Sequence, residues 1–111
     1  MQHYERVWTF STDRFLIELS FAPCDDLDLS WDESGETRAN LESGLWEAFD
    51  SRVRVFVDGV EIGCDYLSGS IYENPRDFIN EKGGYFHDMV RQAIKEARFT
   101  VRNLGQVKLR H

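Results

Sequence analysis

No apolar run in the sequence exceeds three residues, "FLI" and "VFV" being the longest, and the opening "MQHYERVWTF" holds no apolar stretch of the length an export signal requires. A spanning helix needs about 20 consecutive apolar residues and a signal peptide an apolar core of about 7–15. The expectation is a cytoplasmic protein with no membrane association. Cysteine is scarce: Cys24 and Cys64 stand 40 positions apart with no Cys-x-x-Cys pair. That excludes a disulfide-stapled mini-domain and points to free thiols in a reducing compartment. His3, His87 and His111 each stand alone, without Cys or His at ligand spacing, so neither a transition metal nor another cofactor is expected. "GCDYLSGS" contains glycines but lacks the G-x-x-x-x-G-K-[ST] spacing that cradles phosphate. With two prolines, no repeat and no Ser/Pro-rich linker, residues 1–111 are expected to form one domain.

What the chain does have is apolar surface and acid. Hydrophobic residues make up 41% and aromatic residues 14%, enough to exclude disorder of the whole chain. The net charge of −7 is unevenly placed. Residues 18–50 carry ten acids against Arg38 alone, a balance of −9, whereas residues 51–111 sum to +2. Within the latter, Arg91 to His111 holds six bases and a single acid, Glu96. The molecule therefore has an acidic part and a basic tail.

Periodicity predicts an α+β fold: an antiparallel sheet of about four strands in two hairpins, with a C-terminal amphipathic helix packed on one face. "FLIELSF" puts Phe15, Ile17, Leu19 and Phe21 on one side of a strand, and with the preceding "YERVWTF" and the link "STDR" it makes a hairpin. In "RVRVFVDGVEIGCDYL" Val53, Val55 and Val57 alternate with arginines and Asp58-Gly59 supplies a type I′ turn. Val60, Ile62, Cys64 and Tyr66 are expected to continue the inward face, which would bury Cys64 as an inert thiol. A short helical turn is expected near Thr37 to Ser43, then a strand. Asn74-Pro75 reads as the start of a short helix ending by Gly83-Gly84. In "YFHDMVRQAIKEARFTV" the residues Tyr85, Phe86, Met89, Val90, Ala93, Ile94 and Ala97 form one helical stripe.

Catalytic chemistry finds no foothold. Cys64-Asp65 and His87-Asp88 could be assembled into a Cys/His/Asp set only by force, so the chain is read as non-enzymatic. The acidic stretch "CDDLDLSWDESGE" has acids spaced like a calcium loop, but a register starting at Asp26 puts Trp31 where glycine is needed and Thr37 where a bidentate glutamate is needed. A start at Asp28 fails at the same two places, with Glu33 and Ala39. Read as extended chain, Leu27, Leu29 and Trp31 point one way and Asp26, Asp28 and Asp32 the other, an acidic ladder with a repeat of ~6.6 Å. That is several-fold sparser than the one charge per ~1.7 Å of duplex DNA. Such a ladder could blunt an edge strand. The gathering of charge favours instead a site for a basic partner, made by Asp25, Asp26, Asp28, Trp31, Asp32, Glu33 and Glu36. The basic stripe His87, Arg91, Lys95, Arg98 and Arg102 supports the competing expectation of a nucleic-acid accessory protein, with a small enzyme as a further alternative. Direct nucleic-acid binding is disfavoured because a −7 body repels a polyanion.

"VDGVEIGCDYLSGSIY", Val57 to Tyr72, and "GGYFHDMVRQAIKEAR", Gly83 to Arg98, resemble small proteins carried by bacterial phages, plasmids and integrated elements. The resemblance implies a shared fold and genomic setting and brings no catalytic residue with it. Small acidic proteins of that setting are similar in kind to anti-CRISPR and anti-restriction inhibitors, which occupy nucleic-acid-binding surfaces of host defence machinery. The implied partner is the basic surface of a host protein or ribonucleoprotein complex.

Overall fold

The computed structural model describes residues 3–12, 14–24, 26–80 and 84–108, with side chains as far as residue 103. Its elements are β1 (Glu5–Ser11), β2 (Leu16–Pro23), α1 (Glu36–Glu42), β3 (Glu47–Val57), β4 (Val60–Tyr72), α2 (Arg76–Asn80) and α3 (Tyr85–Lys108). The strands form one antiparallel sheet in the order β1-β2-β3-β4, and α3 packs over β4 and β3, the expected α+β arrangement. Two hairpins arise where the alternation predicts them. At the β3–β4 turn Asp58 and Gly59 have φ of 50° and 79°, the paired positive angles of a type I′ turn whose twist suits the flanking strands.

Ile17, Leu19, Val53 and Val55 are at most 1% exposed beneath Phe86, Met89, Ala93 and Ala97 of α3, so the period of two on the strands meets the helical stripe. Tyr85 leaves that stripe and is exposed. Helix and sheet meet most closely at Gly63: a Cβ there would lie 2.3 Å from the Ala93 carbonyl oxygen and 2.9 Å from the Ala97 nitrogen. Only glycine admits the helix at this distance. At the other end of α3, Phe78 of α2 is fully buried, its ring 5.6 Å from Phe49 and 6.3 Å from Phe86. Asn74 starts α2 as expected, its side-chain oxygen accepting the Arg76 N–H at 3.0 Å.

The inward face predicted for β4 is overturned by a bulge. Val55 pairs with Gly63 but Phe56 pairs with Glu61, which leaves Ile62 as an extra residue. One inserted residue reverses the facing of those that follow, up to the next insertion. Ile62 is buried, Val60 is 61% exposed, and Cys64 and Tyr66 pair with Arg54 and Arg52 on the side away from α3. Both thiols are free and half-buried, so the expectation of a core Cys64 fails for this geometric reason. A second irregularity falls at Ser68 and Gly69, opposite Asp50. There Gly69 has φ of 76° and donates its N–H to the buried Asp50 carboxylate at 2.9 Å, which replaces the lost ladder bond.

Candidate functional site: an acidic segment beside an apolar trough

The acidic segment joins β2 to β3, and its expected strand does not form. Its polar side chains bond their own backbone instead, which is how aspartate and serine favour turns over ladders. Asp28 Oδ1 accepts the Ser30 N–H at 2.9 Å, and the Leu29 carbonyl accepts the Asp32 N–H at 3.0 Å. Gly35 takes a left-handed φ of 76° ahead of α1, and the Asp32 carboxylate reaches across to accept the Thr37 and Arg38 N–H groups at 3.4 and 3.0 Å. Asp32 thus satisfies donors that a helix start leaves open, a capping task normally held at the N-cap position itself.

The predicted site residues therefore divide by role. Asp26, Asp28, Glu33 and Glu36 are exposed, and Asp25 lies outside the described residues. Asp32 is half-buried and occupied with α1. Trp31, which the extended reading placed with Leu27 and Leu29, is 60% exposed and lies between these carboxylates along the chain, while both leucines line a trough behind the segment and are half-buried. The hydrogen bonds from Ser30, first its backbone N–H and then its side chain, hold the Asp28 carboxyl below its ordinary range and so keep it ionised.

Behind the segment is a feature that periodicity does not reveal, a trough of about 1330 Å³ at the end of the sheet where β1 begins and β2 ends. Its apolar lining comes from separate elements: Trp8 of β1, Leu27 and Leu29 of the acidic segment, Leu41 of α1, the neighbouring Trp46, and Ile79 of α2. Glu5, Glu47, His3 and Arg76 supply polar lining. The volume exceeds the roughly 300–1,000 Å³ usual for small-ligand sites. The one sequence signal that pointed here was the half-apolar alternation Leu27, Leu29 inside an acidic run.

Two other surfaces carry charge. On the sheet face away from α3, Arg54 bonds Glu18 at 2.5 Å and approaches Glu61 at 3.5 Å, while the Arg52 guanidinium lies 4.3 Å from the centre of the Tyr4 ring. Burial raises the Glu18 carboxyl, but the hydrogen bond and charge of Arg54 outweigh it and leave the group lowered. On α3, Arg91, Lys95, Arg98 and Arg102 flank Ile94 and Phe99, the latter 60% exposed. Arg91 is paired with Asp88 one turn back. Neither thiol is suited to attack: burial, then Asp50, raises Cys24, and burial, then Glu96, raises Cys64, so both stay protonated at neutral pH. Among the described residues no three His, Cys, Asp or Glu side chains gather as a metal site would need. No described helix is long and apolar enough to cross a membrane. No protein family, curated protein or solved structure matches the chain.

Proposed function

We propose that the chain is a non-enzymatic binding module whose acidic segment docks on the basic surface of a protein or ribonucleoprotein partner. The observation that carries this reading is Trp31, 60% exposed on a segment whose Asp26, Asp28, Glu33 and Glu36 are also exposed. A large aromatic left in water gains by burial, and tryptophan is enriched among residues that dominate interface energies. The segment around it is held by local hydrogen bonds, so little ordering remains to be done on binding. The resemblance of residues 57–72 and 83–98 to proteins of mobile elements supports a partner among host defence complexes, where an acidic inhibitor would cover a nucleic-acid-binding surface.

The basic α3 stripe supports the competing nucleic-acid reading less well. Arg91 is already paired, which leaves Lys95, Arg98 and Arg102 as the described cations facing outward. Binding that neutralises about three phosphates is weak beside proteins that make about 6–10 such contacts. The deciding experiment is affinity capture from a bacterial host with active CRISPR or restriction systems, followed by binding of the purified partner at low and high salt. Capture should be lost in an Asp26→Lys/Glu33→Lys variant and in Trp31→Ala, both with unchanged melting, and kept in Lys95→Glu/Arg98→Glu. The opposite pattern would refute the acidic reading in favour of the basic stripe.

A further inference from the structure

We infer that the trough beside the acidic segment receives the apolar face of a cationic amphipathic helix belonging to the partner. The inference rests on the acidic docking reading and extends it from a charged surface to a shaped one. The trough, of about 1330 Å³, has room for several side chains, and Trp8, Trp46, Leu27, Leu29, Leu41 and Ile79 all contribute to its lining. Its charge has one dominant sign. Glu5 and Glu47 line it, and the exposed Asp26 and Asp28 alternate with the leucines that line it, against Arg76 and His3. An occupant must therefore present apolar side chains inward and positive charge at the margin. A helix meets both needs, because residues at i, i+3, i+4 and i+7 supply anchors while its backbone bonds are satisfied internally. The lining is built from four separate stretches of chain, residues 3–8, 21–29, 41–49 and 75–80. The exposed Trp31 on the same segment would then contact the partner outside the trough.

The test uses a Trp31→Phe variant, so that the remaining tryptophans, Trp8 and Trp46, report from the trough itself. The probe is a non-aromatic leucine/lysine peptide of about 18 residues, five helical turns, with leucine at the helical spacing. Its control has the same composition scrambled to destroy the apolar face. At physiological salt of about 0.15 M the helical peptide should shift the emission to the blue saturably and bind about tenfold or more tighter than the control. Leu29→Arg and Ile79→Arg, made separately so that one can fail to fold without loss of the test, should each weaken it about tenfold. If both peptides bind equally and only Asp26→Lys/Glu33→Lys weakens them, the trough inference falls while acidic docking stands. If neither peptide binds below about 1 mM, the trough inference falls and partner capture alone judges the docking reading. Salt-sensitive self-association of the wild type that Leu29→Arg abolishes would make the occupant a second copy of this chain, and that too overturns it.

Discussion

Replacing Gly63 by alanine adds one methyl group at the point where α3 lies nearest the sheet. The new Cβ would stand 2.3 Å from the Ala93 carbonyl oxygen, 2.9 Å from the Ala97 nitrogen and 3.1 Å from the Ala97 Cβ. Ordinary contact between such atoms begins near 3.5 Å, so the helix must retreat by about 1 Å. The two closest atoms are backbone and cannot rotate away. Ala93 and Ala97 are themselves fully buried, and retreat would loosen Phe86 and Met89 with them. Overpacking of this kind costs about 1–3 kcal/mol, and a backbone collision belongs at the upper end. About 3 kcal/mol is a large share of a typical domain stability and corresponds to a fall in melting temperature of about 10–20 °C. Thermal and urea unfolding followed by circular dichroism read the loss directly. Gly63 lies in a strand without a positive φ, so a conformational penalty does not contribute; Gly44→Ala, with φ of 81° and open space around it, isolates that penalty. Trimming Ala97 to glycine in the Gly63→Ala background should fail to restore stability, because the collision with the Ala93 oxygen persists. A loss under 3 °C, or full rescue by Ala97→Gly, would refute the docking of α3 described above.

Phe78→Ala should cost about 3–5 kcal/mol by urea unfolding, since the ring is fully buried among Phe21, Phe49, Tyr72 and Phe86 and the hole it leaves is walled by rigid aromatics. Asp32→Ala should cost about 1 kcal/mol through the lost cap of α1, whereas Asp26→Ala on the same segment should stay within about 0.5 kcal/mol; equal effects would contradict the division of roles. Asp65 pairs with Val53 on the α3 face, where burial raises its carboxyl above the ordinary value, the Tyr66 backbone hydrogen bond opposes, and Glu96 adds to the rise. The folded protein then holds this proton more tightly than the unfolded chain, so the contribution of this one group is full below about pH 3.9 and is lost as pH climbs through the raised value. Asp65→Asn should accordingly raise the melting temperature at pH 7 and lose that advantage at pH 3, and a variant less stable than wild type at pH 7 would sink the assignment.

The alternation of Phe15, Ile17, Leu19 and of Val53, Val55 was legible because a half-buried strand writes its facing directly into a period of two. The stripe Phe86, Met89, Ala93, Ala97 was legible for the same reason at helical period. Periodicity fails where the backbone departs from it. Ile62 adds a residue to one strand and inverts the facing of Gly63 to Leu67, until the second extra residue at Ser68 and Gly69 restores it for Ser70 and Tyr72; an isolated glycine in a strand, as at Gly63 and Gly69, was the available warning. In the acidic segment Asp28 and Asp32 bond backbone N–H groups, so the reading that treated all carboxylates alike could not tell a cap from a surface charge. The trough was invisible for a different reason. It is assembled from side chains far apart in sequence, each unremarkable in its own window.

Topology also decides what the total charge means. Glu47 pairs with Tyr72, so β3 begins where β4 ends, and the acidic segment leads into β3 at that same end of the sheet. From there α3 runs back along β4, reaching Gly63 near the opposite turn with Ala93 and Ala97, and Arg98 and Arg102 follow beyond it. The stretch of β3 from Phe49 to Val57 alone covers ~27 Å at ~3.3 Å per residue, and the molecule measures 61 Å along its long axis. At physiological ionic strength exposed charges are screened over ~8 Å. The acidic and basic ends are therefore separated by more than three screening lengths, and a ligand approaching one end feels little of the other. Repulsion by a −7 body, the argument raised from composition against nucleic acid, loses its force at the far end of α3. What still weighs against that reading is local: Asp88 pairs with Arg91, and among the described residues of that helix face Lys95, Arg98 and Arg102 are left, fewer than the roughly 6–10 contacts of strong phosphate binders. The same screening strengthens the case for the acidic end, because its field reaches a basic partner undiminished by the arginines of α3.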